Sequence, residues 1–236
     1  MNFALKLAYD GAAFRGWQKQ PGLTTVQGAL ESALRVLLGK KLVVHGASRT
    51  DAGVHALGQV ASFRTSSVDP ERLALASGLQ LLRWTAAPDS FHARATSVGK
   101  RYRYEMGQFV QKGDWERARA ALQGLDGLPQ LGGLASPSKD HRPAPPLTRW
   151  SLDDSGSLFV EGAAFRKHQV RNLAGHLGAV ALGYSTPESL RELAQLRRPW
   201  RGARAPAGSL MLLEVLYPEG KNPFTEPAAS PSQQPR

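Results

Sequence analysis

Stretches with the two-residue period of a strand and the 3.6-residue period of a helix follow one another irregularly along this chain. Residues 3–9 (FALKLAY) alternate apolar and polar and read as a strand, closed by the Asp10-Gly11 turn signal. Residues 24–38 read as a helix: Val26, Leu30, Ala33, Leu34 and Leu37 share a face, Thr24 and Gln27 have capping-box spacing, and Gly39 is the stop. Residues 42–46 and 59–63 read as strands. Asp69-Pro70-Glu71 opens a second helix with Pro at its first position. Residues 100–106 (KRYRYEM) alternate strictly, as a strand does. A short helix over 114–123 follows, then a Gly-, Pro- and Ser-rich connection over 124–146. A short strand over 158–161, helices over 165–182 and from Thr186-Pro187-Glu188 to about Leu196, and a strand over 210–217 complete the order.

That order has no regular βαβ alternation, so it predicts an α+β fold: a largely antiparallel central sheet with flanking helices. The 236 residues allow one large domain or two modest ones. A division near residue 100 gives an N-terminal half-domain over 1–99 and a C-terminal one over 100–220, although both halves can share one sheet. The tail over 221–236 is rich in Pro, Ser, Gln and Ala and is expected to be disordered.

Composition narrows the function classes. There are no cysteines, which excludes disulfides and thiolate metal sites. No segment approaches the roughly 18 apolar residues of a membrane span, and MNFALKLAYDG reads as a strand rather than an export signal. A cytoplasmic protein is the expectation. The net charge of +11 favours a polyanionic partner, nucleic acid first. No HxxxH or HExxH pair suggests a metal, no GxSxG elbow a serine hydrolase, and no GxGxxG or Walker loop a nucleotide.

What remains is carboxylate chemistry or binding alone, and four clusters bear on the choice. In SRTDAGVHA, Asp51 can simply cap a turn and pair with Arg49. It can instead be presented as a nucleophile, with small Ala52 and Gly53 leaving room for a substrate. FRGWQKQ interleaves aromatic and basic residues, either as an ordinary turn around a buried Trp or as a phosphate-holding loop using Arg15 and Lys19. FHAR and KRYRY supply Arg94 and Arg101, and strand alternation sends Tyr102 and Tyr104 to one side, Arg101 and Arg103 to the other. FRKHQVRN places Arg166, Lys167 and Arg171 largely outside the apolar stripe of its helix, a pattern also met on solvated faces.

Taken in order, these clusters resemble the tRNA pseudouridine synthase A family over most of residues 3–218. YDGAAFRGWQKQ with TTVQGALESAL is similar to the family's opening strand, turn and helix. SRTDAGVHALGQV is similar to its catalytic motif, FHARATSVGKRYRY and FRKHQVRNLAGHLGAVALG to its second and third blocks, and PAGSLMLLEVLYP to its closing strand. The resemblance implies the pseudouridine synthase fold, with a cleft between two half-domains. It makes Asp51 the catalytic aspartate, Tyr102 the tyrosine that stacks on the target uracil, and Arg171 the partner of the aspartate. Leu210 would line the base pocket, and Arg49, Arg15, Gln18, Lys19, Arg94, Arg101 and His168 would bind substrate. It further implies isomerisation of uridine at tRNA positions 38, 39 and 40 in the anticodon stem-loop, no cofactor, no metal, and a homodimer with tRNA as partner. The chain departs from the family pattern at Ser48, where the family has Gly, and at Gln169, where it has Met. It also lacks the Asn-Leu-Pro and Asp-Phe-x-x-Phe stretches.

The chemistry suits these residues. Breaking N1–C1′, turning the uracil and joining C5 to C1′ adds and removes nothing except the C5 hydrogen. One carboxylate in a tight pocket is sufficient, whether it attacks C1′ or deprotonates the sugar to a glycal. The base must leave its stack, and phosphate contacts must hold the RNA. A non-catalytic RNA-binding protein with the same fold is the alternative; against it, a carboxylate near a polyanion would only weaken binding. A glycosidase would need two flanking carboxylates, and only Asp51 stands out.

Overall fold

A computed structural model describes residues 1–69, 72–138, 142–196, 202 and 204–225. The strands are β1 (Asn2–Tyr9), β2 (His45–Gly46), β3 (His55–Arg64), β4 (Leu79–Ala87), β5 (Gly99–Glu105), β6 (Arg149–Leu152), β7 (Ser157–Gly162) and β8 (Leu210–Leu216). The helices are α1 (Val26–Leu38), α2 (Trp115–Gln123), α3 (Gln169–Ala181) and α4 (Pro187–Gln195). The strands form one sheet in the order β4-β1-β3-β8-β5-β7-β6, with β2 added beside β3.

Every pairing is antiparallel except β3 with β8. That one parallel pair, His55 opposite Met211 and Ala56 opposite Leu212, joins the strands of residues 2–87 to those of residues 99–216. Parallel strands start at the same end of a sheet. The loop before β3, which carries Asp51, therefore lies beside the start of β8 at Leu210. β5 lies on the other side of β8, with Tyr102 opposite Leu212 and Tyr104 opposite Leu210. The alternation read from KRYRY holds: Tyr102 and Tyr104 are buried, and Arg101 and Arg103 are half-buried on the other face.

The helices form where apolar spacing and caps coincide. α1 buries Val26, Leu30 and Leu34 and ends at Gly39, φ +68. Its cap is Thr25, not Thr24, and its hydroxyl accepts from the Gly28 amide at 3.2 Å. Gln27 does not close a capping box. Its carboxamide oxygen instead accepts from the Lys19 amide and the Gln18 side chain, which ties down the FRGWQKQ loop. Asp114 and Thr186 cap α2 and α4, and α2 packs against both α3 and α4. The 124–146 connection is anchored by buried Leu125, Leu128, Leu131, Leu134 and Ala144. Among the described residues, no helix is long and apolar enough to cross a membrane.

Four readings need correction. The helix expected from Asp69-Pro70-Glu71 does not extend through residues 73–78: Arg72 closes a single 3-10 turn on the Asp69 carbonyl at 3.2 Å, and the chain then runs irregularly to a turn before β4; Pro70 and Glu71 themselves lie outside the described residues. The 42–46 strand shrinks to the two residues of β2. α3 begins at Gln169 rather than 165, because His168 takes a left-handed conformation, φ +61, that breaks the helix before it. Residues 221–225 form turns with Phe224 against the core, and 226–236 lie outside the described residues.

Candidate active site

The turn that carries Asp51 is built on other backbone. Gly16, at φ +91, lies so close that a Cβ there would come 2.9 Å from the Thr50 carbonyl oxygen and 3.1 Å from the Ala52 nitrogen. The Trp17 amide donates to the Thr50 carbonyl at 3.0 Å, and the Trp17 indole is buried against Gly46. Beneath the turn lies a buried polar network. Gln59, fully buried, accepts from the Ser48 amide and donates to the Ser48 carbonyl at 2.7 Å and the Tyr9 hydroxyl at 3.3 Å. Tyr9 in turn shares a 2.8 Å hydrogen bond with Thr50. Burial pushes the Tyr9 phenol up to about 12, so it serves as a neutral strut. His55, at the end of the motif, faces the Gly11 amide and the Asp10 carboxylate and fastens β3 to the turn after β1.

Asp51 projects from this turn into a cleft of about 770 Å³. It does not pair with Arg49, which is exposed at the rim. Its Oδ2 faces Arg171 Nη1 at 3.4 Å and His168 Nε2 at 3.6 Å. Arg171 is itself aimed by its Nε, which donates to the Ala205 carbonyl at 2.9 Å. Opposite lies Tyr102, 6% exposed, with its ring edge-on to Phe165 at 5.1 Å and its hydroxyl sharing a 2.8 Å hydrogen bond with Ser48. Burial raises the Tyr102 phenol well above its ordinary range against the opposing effect of the Ser48 bond; Tyr9 and Asp51 add to the rise. Tyr102 is therefore a neutral ring at any physiological pH. Leu210 completes the apolar wall.

Of the residues expected at the site, Arg15, Gln18, Arg49, Asp51, Arg94, Tyr102, His168, Arg171 and Leu210 line this one cleft. Two do not. Lys19 points outward and pairs with Glu31 at 2.8 Å. Arg101 lies on the opposite face of the sheet, between Glu161 at 2.8 Å and Glu214 at 3.0 Å. The strand alternation that buries Tyr102 is what carries Arg101 away. The structure also adds residues the sequence did not single out as site residues: Ser48, Lys100, Phe165, Arg166, Lys167 and Arg204. Lys100 could have been found, since it shares its strand face with Tyr102. It is half-buried beside Arg94, and burial first, then that guanidinium, lowers its ammonium. Arg204 comes from a basic run between α4 and β8 that carried no recognisable motif.

Charge is concentrated here. Among the described residues lining the cleft, eight are Lys or Arg and one is acidic, Asp51. Such a surface attracts phosphates. Among the described residues, Asp51 is the one carboxylate of the cleft, set opposite the Tyr102 ring and beside Arg171 and His168.

Comparison with known proteins assigns the class. The family profile described as tRNA pseudouridine synthase matches residues 7–83 and 130–218. The chain belongs to this family. It is 33% identical over 245 residues to tRNA pseudouridine synthase A of Shewanella pealeana, covering 93% of this chain and 94% of that protein. The Myxococcus xanthus protein of the same name is 35% identical over 92% of each chain. The Chlamydia abortus one is 30% identical, covering 94% of this chain and 93% of its own.

Proposed function

We propose that this protein isomerises uridine to pseudouridine at positions 38, 39 and 40 in the anticodon stem-loop of tRNA, with Asp51 as nucleophile. The observation that carries the reading is Asp51 itself, among the described residues the one carboxylate in a cleft lined by eight Lys and Arg side chains. Family membership supports it. The ends of the sheet formed by residues 1–99 and 100–220 act as half-domains flanking the cleft. The protein works as a homodimer in the cytoplasm, and needs neither cofactor nor metal.

The residues divide the work. Arg15, Arg49 and Arg94 hold phosphates at the rim, and the target uridine swings out of its stack into the cleft. Tyr102 and Leu210 sandwich or line the flipped base. An Asp51 oxygen attacks C1′ as the C1′–N1 bond breaks, and the N1 electron pair stays with uracil. The uracil turns, C5 attacks C1′, and the carboxylate leaves with the electrons of its C1′–O bond. The C5 proton is lost to solvent while N1 gains one, so atoms balance. Arg171 supplies the counter-charge that holds the carboxylate ready.

The test is release of tritium from tRNA labelled at uracil C5. Release in proportion to pseudouridine formed is expected; tight tRNA binding without release would leave a binding protein. Deuterium at C2′ separates the two routes: no primary isotope effect is expected for attack at C1′, and a primary effect would assign Asp51 to proton abstraction from the sugar.

A further inference from the structure

Ser48 stands three residues before Asp51, and a single side chain clamps its main chain on both sides. The carboxamide of Gln59, fully buried on β3, accepts from the Ser48 amide at 3.2 Å and donates to the Ser48 carbonyl at 2.7 Å. Gln59 also donates to the Tyr9 hydroxyl, which bonds Thr50 two residues further along the turn. With its backbone held, the Ser48 hydroxyl moves only by rotation about χ1. It lies 2.8 Å from the Tyr102 hydroxyl, the usual spacing of an O–H···O bond.

That bond crosses the sheet. Ser48 lies on the segment that leads into β3, Tyr102 lies on β5, and β8 runs between those two strands. The strands of residues 2–87 and 99–216 meet along β3 and β8, whose ladder holds two residue pairs in register, against the six that join β5 to β7. A tie from Ser48 to Tyr102 therefore reinforces a short joint at the cleft itself. It needs no charge. Each hydroxyl both donates and accepts, so the bond forms whichever of them gives the proton. Burial keeps the Tyr102 phenol protonated against the opposing effect of Ser48. Phe165 packs edge-on against the ring at 5.1 Å, and the Ser48 bond fixes the hydroxyl end.

We propose that Ser48 is a positioning residue: its hydroxyl ties the Tyr102 ring to the turn that carries Asp51, and so fixes the spacing between ring and carboxylate before RNA enters. This rests on the isomerase reading above. The uracil must detach, turn and reattach within that spacing. A ring free to drift admits more orientations of the base, and the productive one is reached less often. The loss falls on turnover rather than on RNA affinity, which comes from phosphate contacts at the rim.

A double-mutant cycle with two readouts tests this. Ser48→Ala and Tyr102→Phe each remove one hydroxyl of the bond, and the double variant removes both. The first readout is the melting temperature of the free protein, which needs no activity. Each single variant should melt about 2–4 °C early. The double variant should melt no earlier than the lower of the two, because each single change strands one hydroxyl and the double change strands none. Losses that add would overturn the proposal. The second readout is single-turnover tritium release at saturating tRNA. Each single variant should be about three- to tenfold slower, as loss of a neutral hydrogen bond implies. The double variant should be no slower than the slower single one, with tRNA affinity little changed. Wild-type turnover in Ser48→Ala, slowing that multiplies in the double variant, or a loss confined to tRNA affinity would overturn the proposal. A wild type that releases no tritium would sink the isomerase reading instead, and the melting cycle would still decide whether the two hydroxyls hold each other.

Discussion

Substituting Gly16 by Ala should damage turnover more than it damages the fold. Gly16 sits at φ +91, where an Ala side chain costs about 1–2 kcal/mol relative to Gly. The new Cβ would also lie 2.9 Å from the Thr50 oxygen, 3.1 Å from the Ala52 nitrogen and 3.2 Å from the Asp51 carbonyl carbon. All three are backbone atoms, so the turn must move by a few tenths of an ångström; overpacking of this kind adds roughly 1–3 kcal/mol. Gly22 is the control: it has φ +71 but open space around its Cβ position, so Gly22→Ala bears the backbone strain alone. For a chain of this size each kcal/mol lowers Tm by about 2–4 °C. Gly22→Ala should therefore melt a few degrees early with wild-type turnover. Gly16→Ala should melt earlier still and turn over at least roughly tenfold more slowly at a temperature where both are folded, because displacement of a reacting group by a fraction of an ångström is costly. Calorimetry and single-turnover tritium release make the comparison. Equal turnover in the two variants would refute the claim that Gly16 sets the position of Asp51.

Three further outcomes follow from the geometry. Tyr102→Phe should bind tRNA almost normally and Tyr102→Leu should not, if the ring stacks on the base; Ser48→Gly, which frees the Tyr102 hydroxyl, should match the Phe variant in turnover, and a Ser48→Gly enzyme slower than Tyr102→Phe would show that the bond does more than hold the ring. The slope of log K against log salt should lessen by about 1 in Arg15→Ala and in Arg94→Ala, and stay unchanged in Lys19→Ala and Arg101→Ala, whose charges are engaged by glutamates outside the cleft; the reverse pattern would move the RNA to the opposite face. Burial lowers the pKa of His92, His168 and His176, so the unfolded chain binds more protons below about pH 6.5. Their contribution is complete above that pH and is lost as pH falls through the lowered values, and a denaturation midpoint that holds steady from pH 7 to 5 would contradict it.

The sequence revealed the buried strands and missed the exposed ones. β1 and β5 carry an alternation and β8 a continuous apolar run, because one or both faces are covered. β4 (LQLLRWTAA) is an edge strand with Leu82 and Trp84 partly in solvent, so burial imposed no readable pattern on it. β6 is four residues long, too short for a period. Asp51, Tyr102 and Arg171 could be singled out because their surroundings read as motifs, and the structure brings them to one cleft. Lys19 and Arg101 were misplaced because charge near a motif does not tell which face it lies on. Arg101 could have been set aside from the alternation of KRYRY alone. Arg204 was invisible: no motif surrounds it in the sequence, and its place in the cleft appears only in the folded chain. The conformation of His168 was hidden too, since nothing in FRKHQVRN announces a left-handed residue before the helix.

Replacing Asp51 by Asn tests the central claim most directly. Asn keeps the size and removes only the carboxylate charge and its nucleophilicity. Purified wild type and Asp51→Asn are each mixed with bulk tRNA tritiated at uracil C5, and tritium release and tRNA affinity are measured together. The wild type should release tritium and the variant none, while the variant binds tRNA as well or slightly better, because a negative charge among the cations of the cleft is gone. Release by the variant at a rate near wild type, or none from the wild type, would contradict the assignment of Asp51 as the group that carries out the isomerisation.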